Sequence, residues 1–145
     1  MSIQRTDEFI QEFTAWAQSQ PGVLAAALVG SRARGTAGPD SDVDLVLLCT
    51  RAADYLADLS WTLQFGEVRE HRIEPYGRLT SVRTWYEDGL EIEYGITDED
   101  WAASPLDEGT RQVISDGMVV LYEEDKLLSR HQPVKQAPRP FSRVP

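Results

Sequence analysis

The stretch Leu28-Val-Gly-Ser-Arg-Ala-Arg-Gly-Thr-Ala-Gly-Pro-Asp-Ser-Asp-Val-Asp-Leu-Val-Leu-Leu48 has apolar flanks and a loop between them. Gly30 and Ser31 close the first flank. Asp42 and Asp44 open the second, separated by Val43. On an extended strand, residues two apart share a face, so both carboxylates point one way while Val43, Leu45 and Leu47 point the other. Two like charges placed in this way repel, which costs stability unless a cation sits between them. The bland alternative is a Gly-rich hairpin loop followed by a strand with exposed aspartates, but Asp is depleted from strands and two on one face need a reason. The loop is rich in Gly, Ser and Thr and carries Arg32 and Arg34. Gly lets the backbone approach closely, and consecutive N–H groups cradle an anion. Guanidinium groups match phosphate oxygens. An anion cradle beside a hard-cation site suits phosphate and magnesium. The chemistry that fits best is a metal-assisted displacement at a nucleotide phosphate.

Working outward, the 145 residues make one domain, or one domain and a tail. Hydrophobic residues are 41% and the mean hydropathy is −0.37, which reads as soluble and globular. No apolar run approaches the ~20 residues of a membrane helix, and the N-terminus has no signal-peptide pattern. The expected compartment is therefore cytoplasmic, which the single cysteine, Cys49, also suits. A net charge of −10 and a pI of about 4.6 argue against a protein that grips a phosphate backbone. They are compatible with a cationic small substrate, although ordinary acidic solubility explains them as well.

Phe9, Ile10, Phe13, Trp16 and Ala17 recur at three and four, which predicts an amphipathic helix over Thr6–Gln20 capped by Thr6 or Asp7. Val23–Val29 and Val43–Cys49 read as buried strands around a loop from Gly30 to Ser41. Ala52, Tyr55, Leu56, Leu59 and Leu63 predict a second helix over Arg51–Gln64, ending near Gly66. Two strands are expected near Arg69–Glu74 and Arg78–Tyr86. In a third, Leu90, Ile92 and Tyr94 face one way and Glu91 and Glu93 the other. Pro105–Ser115 reads as a helix and Met118–Tyr122 as a short strand. The fold class is then α/β (or α+β), a short mixed sheet with helices mainly on one face. Residues 1–130 form the domain. Residues 131–145, with Pro133, Pro138, Pro140, Pro145 and four basic residues, read as an extended or disordered tail.

Gly30-Ser31, ten intervening residues and Asp42-Val43-Asp44 together resemble the signature of the polymerase-β-like nucleotidyltransferases. Within that superfamily the chain looks like the small prokaryotic type, the minimal and antibiotic nucleotidyltransferases. The resemblance covers Ala25 to Ile96 well and Pro105 to Leu128 loosely. It implies a third acid on a neighbouring strand and favours Glu93 over Glu91, because Ile92-Glu93-Tyr94-Gly95-Ile96 looks like the family's hydrophobic-acid-hydrophobic element. Many members have Asp there, so Glu departs from the commonest pattern. Given three carboxylates, Asp42, Asp44 and Glu93 are the expected ligands for two magnesium ions about 3.5–4 Å apart. All-oxygen ligation suits Mg²⁺ or Mn²⁺. Glu93 is also the expected base for an acceptor hydroxyl. Gly30 and Ser31 are expected to hold the triphosphate, with Arg32 and Arg34 toward the leaving pyrophosphate.

The expected function is transfer of a nucleoside monophosphate, AMP from ATP foremost, to a hydroxyl on a small molecule, protein or RNA. That is an enzyme of the EC 2.7.7 type, ATP-binding and magnesium-dependent. The rival class is an antitoxin-like regulatory partner of a helical protein; a third is a nucleotide-binding protein without turnover. Either a homodimer or a helical partner chain is expected, since 145 residues leave no room for a second helical domain to hold the acceptor. His71 and His131 lack partners at zinc-ligand spacing. There is no Walker-type phosphate loop and no Ser-His-Asp or Cys-His set.

Overall fold

The computed structural model describes residues 3–38, 42–103 and 106–131. Helix α1 (Ile3–Ser19) leads into strand β1 (Val23–Val29), a short helix α2 (Gly30–Arg34) and strand β2 (Val43–Cys49). Helix α3 (Ala52–Ala57) and a 3₁₀ segment (Leu59–Phe65) precede strands β3 (Val68–Tyr76), β4 (Leu79–Tyr86) and β5 (Glu91–Thr97). A 3₁₀ turn (Glu99–Ala102), helix α4 (Glu108–Asp116), strand β6 (Val119–Glu123) and a last 3₁₀ turn (Ser129–His131) complete the described chain. The six strands form one mixed sheet in the order β3-β4-β5-β2-β1-β6. Among the described residues only β2 and β5 pair in parallel; the other neighbours are antiparallel.

The apolar residues of β1 and β2 divide between the two faces of the sheet. Leu45, Leu47, Ile92 and Tyr94 face α1 and the 3₁₀ segment, packing with Phe9, Phe13 and Phe65. Ala27, Val29, Val46 and Leu48 face α4, packing with Trp101, Ile114 and Met118. Strands buried on both faces need such continuous apolar runs. The larger share of the helical residues lies on the α1 face, and the α4 face is left uncovered toward β3 and β4. Among the described residues, no helix is long and apolar enough to cross a membrane.

Three local expectations are corrected. Helix α1 runs from Ile3, so Thr6 lies inside it, buried, and neither Thr6 nor Asp7 is its cap. The expected helix over residues 51–64 breaks at Asp58, whose extended backbone and side chain cap Ser60 N–H at 2.9 Å. The expected loop after Val29 begins as helix α2, closed by Gly35 in the left-handed region. Of the expected tail, only His131 lies within the described residues, at the end of the last 3₁₀ turn.

Candidate active site

The parallel register sets Asp44 directly opposite Glu93, and the antiparallel register sets Glu93 opposite Arg83. Directly opposed residues share a face, so Arg83, Glu93 and Asp44 form a row across three strands. Asp42 enters the row from just before β2. Carboxylate oxygens of Asp42, Asp44 and Glu93 all lie within 4.8 Å of one another. The apolar partners of the row hold this register: Val43 lies opposite Ile92 and Leu45 opposite Tyr94, all four buried.

Arg83, which the sequence patterns do not single out, supplies a cation on the β4 side. Its Nη1 donates to Asp42 Oδ2 at 3.0 Å and to Glu91 Oε2 at 2.7 Å, and its Nη2 lies 3.3 Å from Glu93 Oε1. Burial disfavours its charge, but the Glu91 and Asp42 carboxylates more than offset this and raise its pKa above the ordinary arginine value. Ser81 donates to the other Glu93 oxygen at 2.8 Å. Both oxygens of Glu93 are thereby oriented. Glu91 is held by Arg83 and stands outside the three-carboxylate group.

Asp44 is different. Its Oδ1 is buried with no hydrogen-bond partner among the described residues. Burial, then the charge of Asp42, then Glu93 push its pKa up to about 7. A buried carboxylate oxygen without a donor is costly unless a cation meets it. The donor set is all oxygen, which fits Mg²⁺ or Mn²⁺.

Gly30 explains how Asp44 is reached. It adopts φ +74, and a Cβ there would run into the Asp44 carboxylate. The residue is thus constrained twice, by backbone conformation and by close approach. Ser31 follows it as the second residue of α2, and its carbonyl accepts the Thr36 N–H at 2.9 Å. Arg32 donates Nε to the Asp42 carbonyl at 3.3 Å and lines a cavity of about 290 Å³ with Thr6, Asp7 and Ile10. Arg34 is exposed, its stem beside Gly117.

A family model described as a nucleotidyltransferase domain matches residues 10–96, more than half of the chain. The chain belongs to the nucleotidyltransferase domain family. All three clustered carboxylates fall within the matched residues. Among solved structures, the nucleotidyltransferase fold seen here is similar to an aminoglycoside 6-adenyltransferase from Bacillus subtilis, with a TM-score of 0.56 and 13% identity. The match covers 81% of this chain, which spans 40% of that protein's length. No curated protein sequence matches the chain.

Proposed function

We propose that this nucleotidyltransferase domain moves a nucleoside monophosphate, AMP from ATP, to a hydroxyl acceptor in a magnesium-dependent reaction of the EC 2.7.7 type. The observation that carries this is the convergence of Asp42, Asp44 and Glu93, with Asp44 Oδ1 buried and unpartnered among the described residues. Those three side chains would hold the divalent ions, whose chemistry when bound is to neutralise charge on the phosphates and favour the acceptor's alkoxide form. In the reaction the acceptor oxygen attacks the α-phosphorus, forming a P–O bond as the α–β phosphoanhydride bond breaks and pyrophosphate leaves. Glu93 receives the hydroxyl proton, with Ser81 and Arg83 fixing its two oxygens for that task. Gly30 and Ser31 hold the triphosphate from the α2 side. Arg34 is exposed and able to approach the leaving pyrophosphate, whereas Arg32 divides its donors between the Asp42 carbonyl and that role.

The test is incubation of the chain with α-labelled ATP and candidate acceptors, with Mg²⁺ or with chelator. Transfer requires Mg²⁺ and is abolished in Asp42→Asn and Asp44→Asn. Asp44→Asn leaves metal-free thermal stability unchanged or raised, because it relieves the burial and like-charge cost of a carboxylate beside Asp42 and Glu93. Turnover at the wild-type rate in either variant would overturn the assignment.

A further inference from the structure

On the face that carries the carboxylates, a cavity of about 470 Å³ opens between the β3–β4 turn and α4. Its walls include Tyr76, Leu79, Trp101 and Val113. We infer that this cavity is the acceptor site, and that the acceptor is an uncharged, ring-bearing hydroxyl compound. This rests on the nucleotidyl-transfer function proposed above.

Three observations carry it. The first is continuity. Leu79 and Ser81 are two apart on β4 and share a face, and Ser81 touches Glu93. The cavity wall is therefore about 7 Å along the strand from the residue that orients the base. Between them Gly95, opposite Ser81, carries no side chain, and the Leu79 side chain lies over it as the floor between the cavity and the row. A Cβ there would come within 2.7 Å of Leu79 Cδ1. Tyr76, opposite Leu79, donates its hydroxyl to Glu74 Oε1 at 3.3 Å, and the Glu74 charge raises its pKa.

The second is sidedness. In phosphoryl and nucleotidyl transfer the attacking and leaving oxygens lie roughly in line. Helix α2, where the triphosphate is held, follows β1 on the Asp44 side of the row. The cavity's strand walls, from β3 and β4, lie on the Glu93 side, and α4 and Trp101 close it from across the sheet. A molecule seated there presents its hydroxyl opposite the leaving pyrophosphate.

The third is charge. The rim carries Arg78 and Asp107, but these pair with each other at 2.5 Å. Asp107 also accepts the Thr110 N–H at 2.7 Å as the cap of α4. Their charges compensate each other, and Tyr76, Leu79, Trp101 and Val113 make the walls aliphatic and aromatic. A polycation gains nothing there, whereas a ring against Leu79, Trp101 and Val113 does.

The experiment uses the full chain with Mg²⁺ and a non-hydrolysable ATP analogue. Calorimetry is run with phenyl β-glucoside as the uncharged ring-bearing probe and kanamycin as the polycation. Wild type binds phenyl glucoside saturably, and kanamycin does not displace it. Gly109→Trp fills the cavity from α4 at a position where a Cβ has room, its nearest neighbour being Asp107 Oδ1 at 3.7 Å. Val113→Trp fills it from the next turn. Both variants lose about tenfold or more in probe affinity while keeping the melting temperature and the nucleotide affinity of wild type. Equal probe affinity in the folded variants, no probe binding by a wild type that binds nucleotide, or displacement by kanamycin would overturn the inference. Probe binding by a chain that fails to bind the nucleotide would instead overturn nucleotidyl transfer itself, and with it the acceptor role of the cavity.

Discussion

Glu91 and Glu93 lie on one face of one strand, yet their surroundings separate them. Glu93 has an oxygen within 4.8 Å of Asp42 and Asp44 oxygens and is oriented by Ser81 and Arg83. Among the described residues, Glu91 pairs with Arg83, which also bonds Asp42. We expect Glu93→Gln to lower kcat by about 100-fold or more, the scale of a lost general base. Glu91→Gln loosens Arg83 and acts mainly on acceptor KM. Steady-state kinetics of nucleotide transfer separate the two, and reversed phenotypes would make Glu91 the third acid. The Gly-Ser and Asp-x-Asp pieces were legible because chain neighbours carry them. Arg83 was not, since β4 offers several charged or polar residues and only the three-strand register selects the one opposite Glu93. The role of Gly30 was half legible. The close approach it permits is to the chain's own Asp44 carboxylate, which no local pattern announces.

Strand β5 carries Glu93 on one face and Tyr94 on the other, so the packing of Tyr94 helps hold the site's register. The Tyr94 ring meets Trp61 edge-on at 4.8 Å and lies among Phe9, Phe13 and Phe65. Its hydroxyl is 2.7 Å from that of Tyr86, which donates to the Thr62 carbonyl at 2.7 Å. A phenol has one proton to give, so Tyr94 donates to Tyr86. Tyr86→Phe therefore leaves the buried Tyr94 hydroxyl without its acceptor and removes the donor to Thr62, costing about 1–3 kcal/mol. Tyr94→Phe leaves the Tyr86–Thr62 bond intact and costs about 1 kcal/mol. Urea unfolding ranks the two, and a larger loss in Tyr94→Phe would contradict the assigned direction. The spans of β1 and β2 could be read because apolar runs with turn signals at both ends define a buried strand. The break of the second helix at Asp58 could not, because Leu59 and Leu63 keep helical spacing through a 3₁₀ segment.

Across the described residues the sheet presents two edges, β3 and β6. Strand β3 carries Arg69, Glu70, Arg72, Glu74 and Pro75, and such charges and proline discourage the addition of a further strand. At the centre, β2 and β5 form the one parallel pairing, and α3, the 3₁₀ segment, β3 and β4 all lie between them in the chain. That topology imposes an order in time. Closing so long a loop costs entropy before its contacts form, and pairings distant in sequence tend to be slow. Asp44 and Glu93 become neighbours only at that late step. A cation held by both stabilises the finished molecule and not the barrier that precedes it. Mg²⁺ should therefore slow unfolding and leave the refolding rate unchanged, as read by stopped-flow tryptophan fluorescence. Refolding accelerated by the full stabilisation would mean that β2 and β5 meet early, with the hairpin of β3 and β4 added to a site already built.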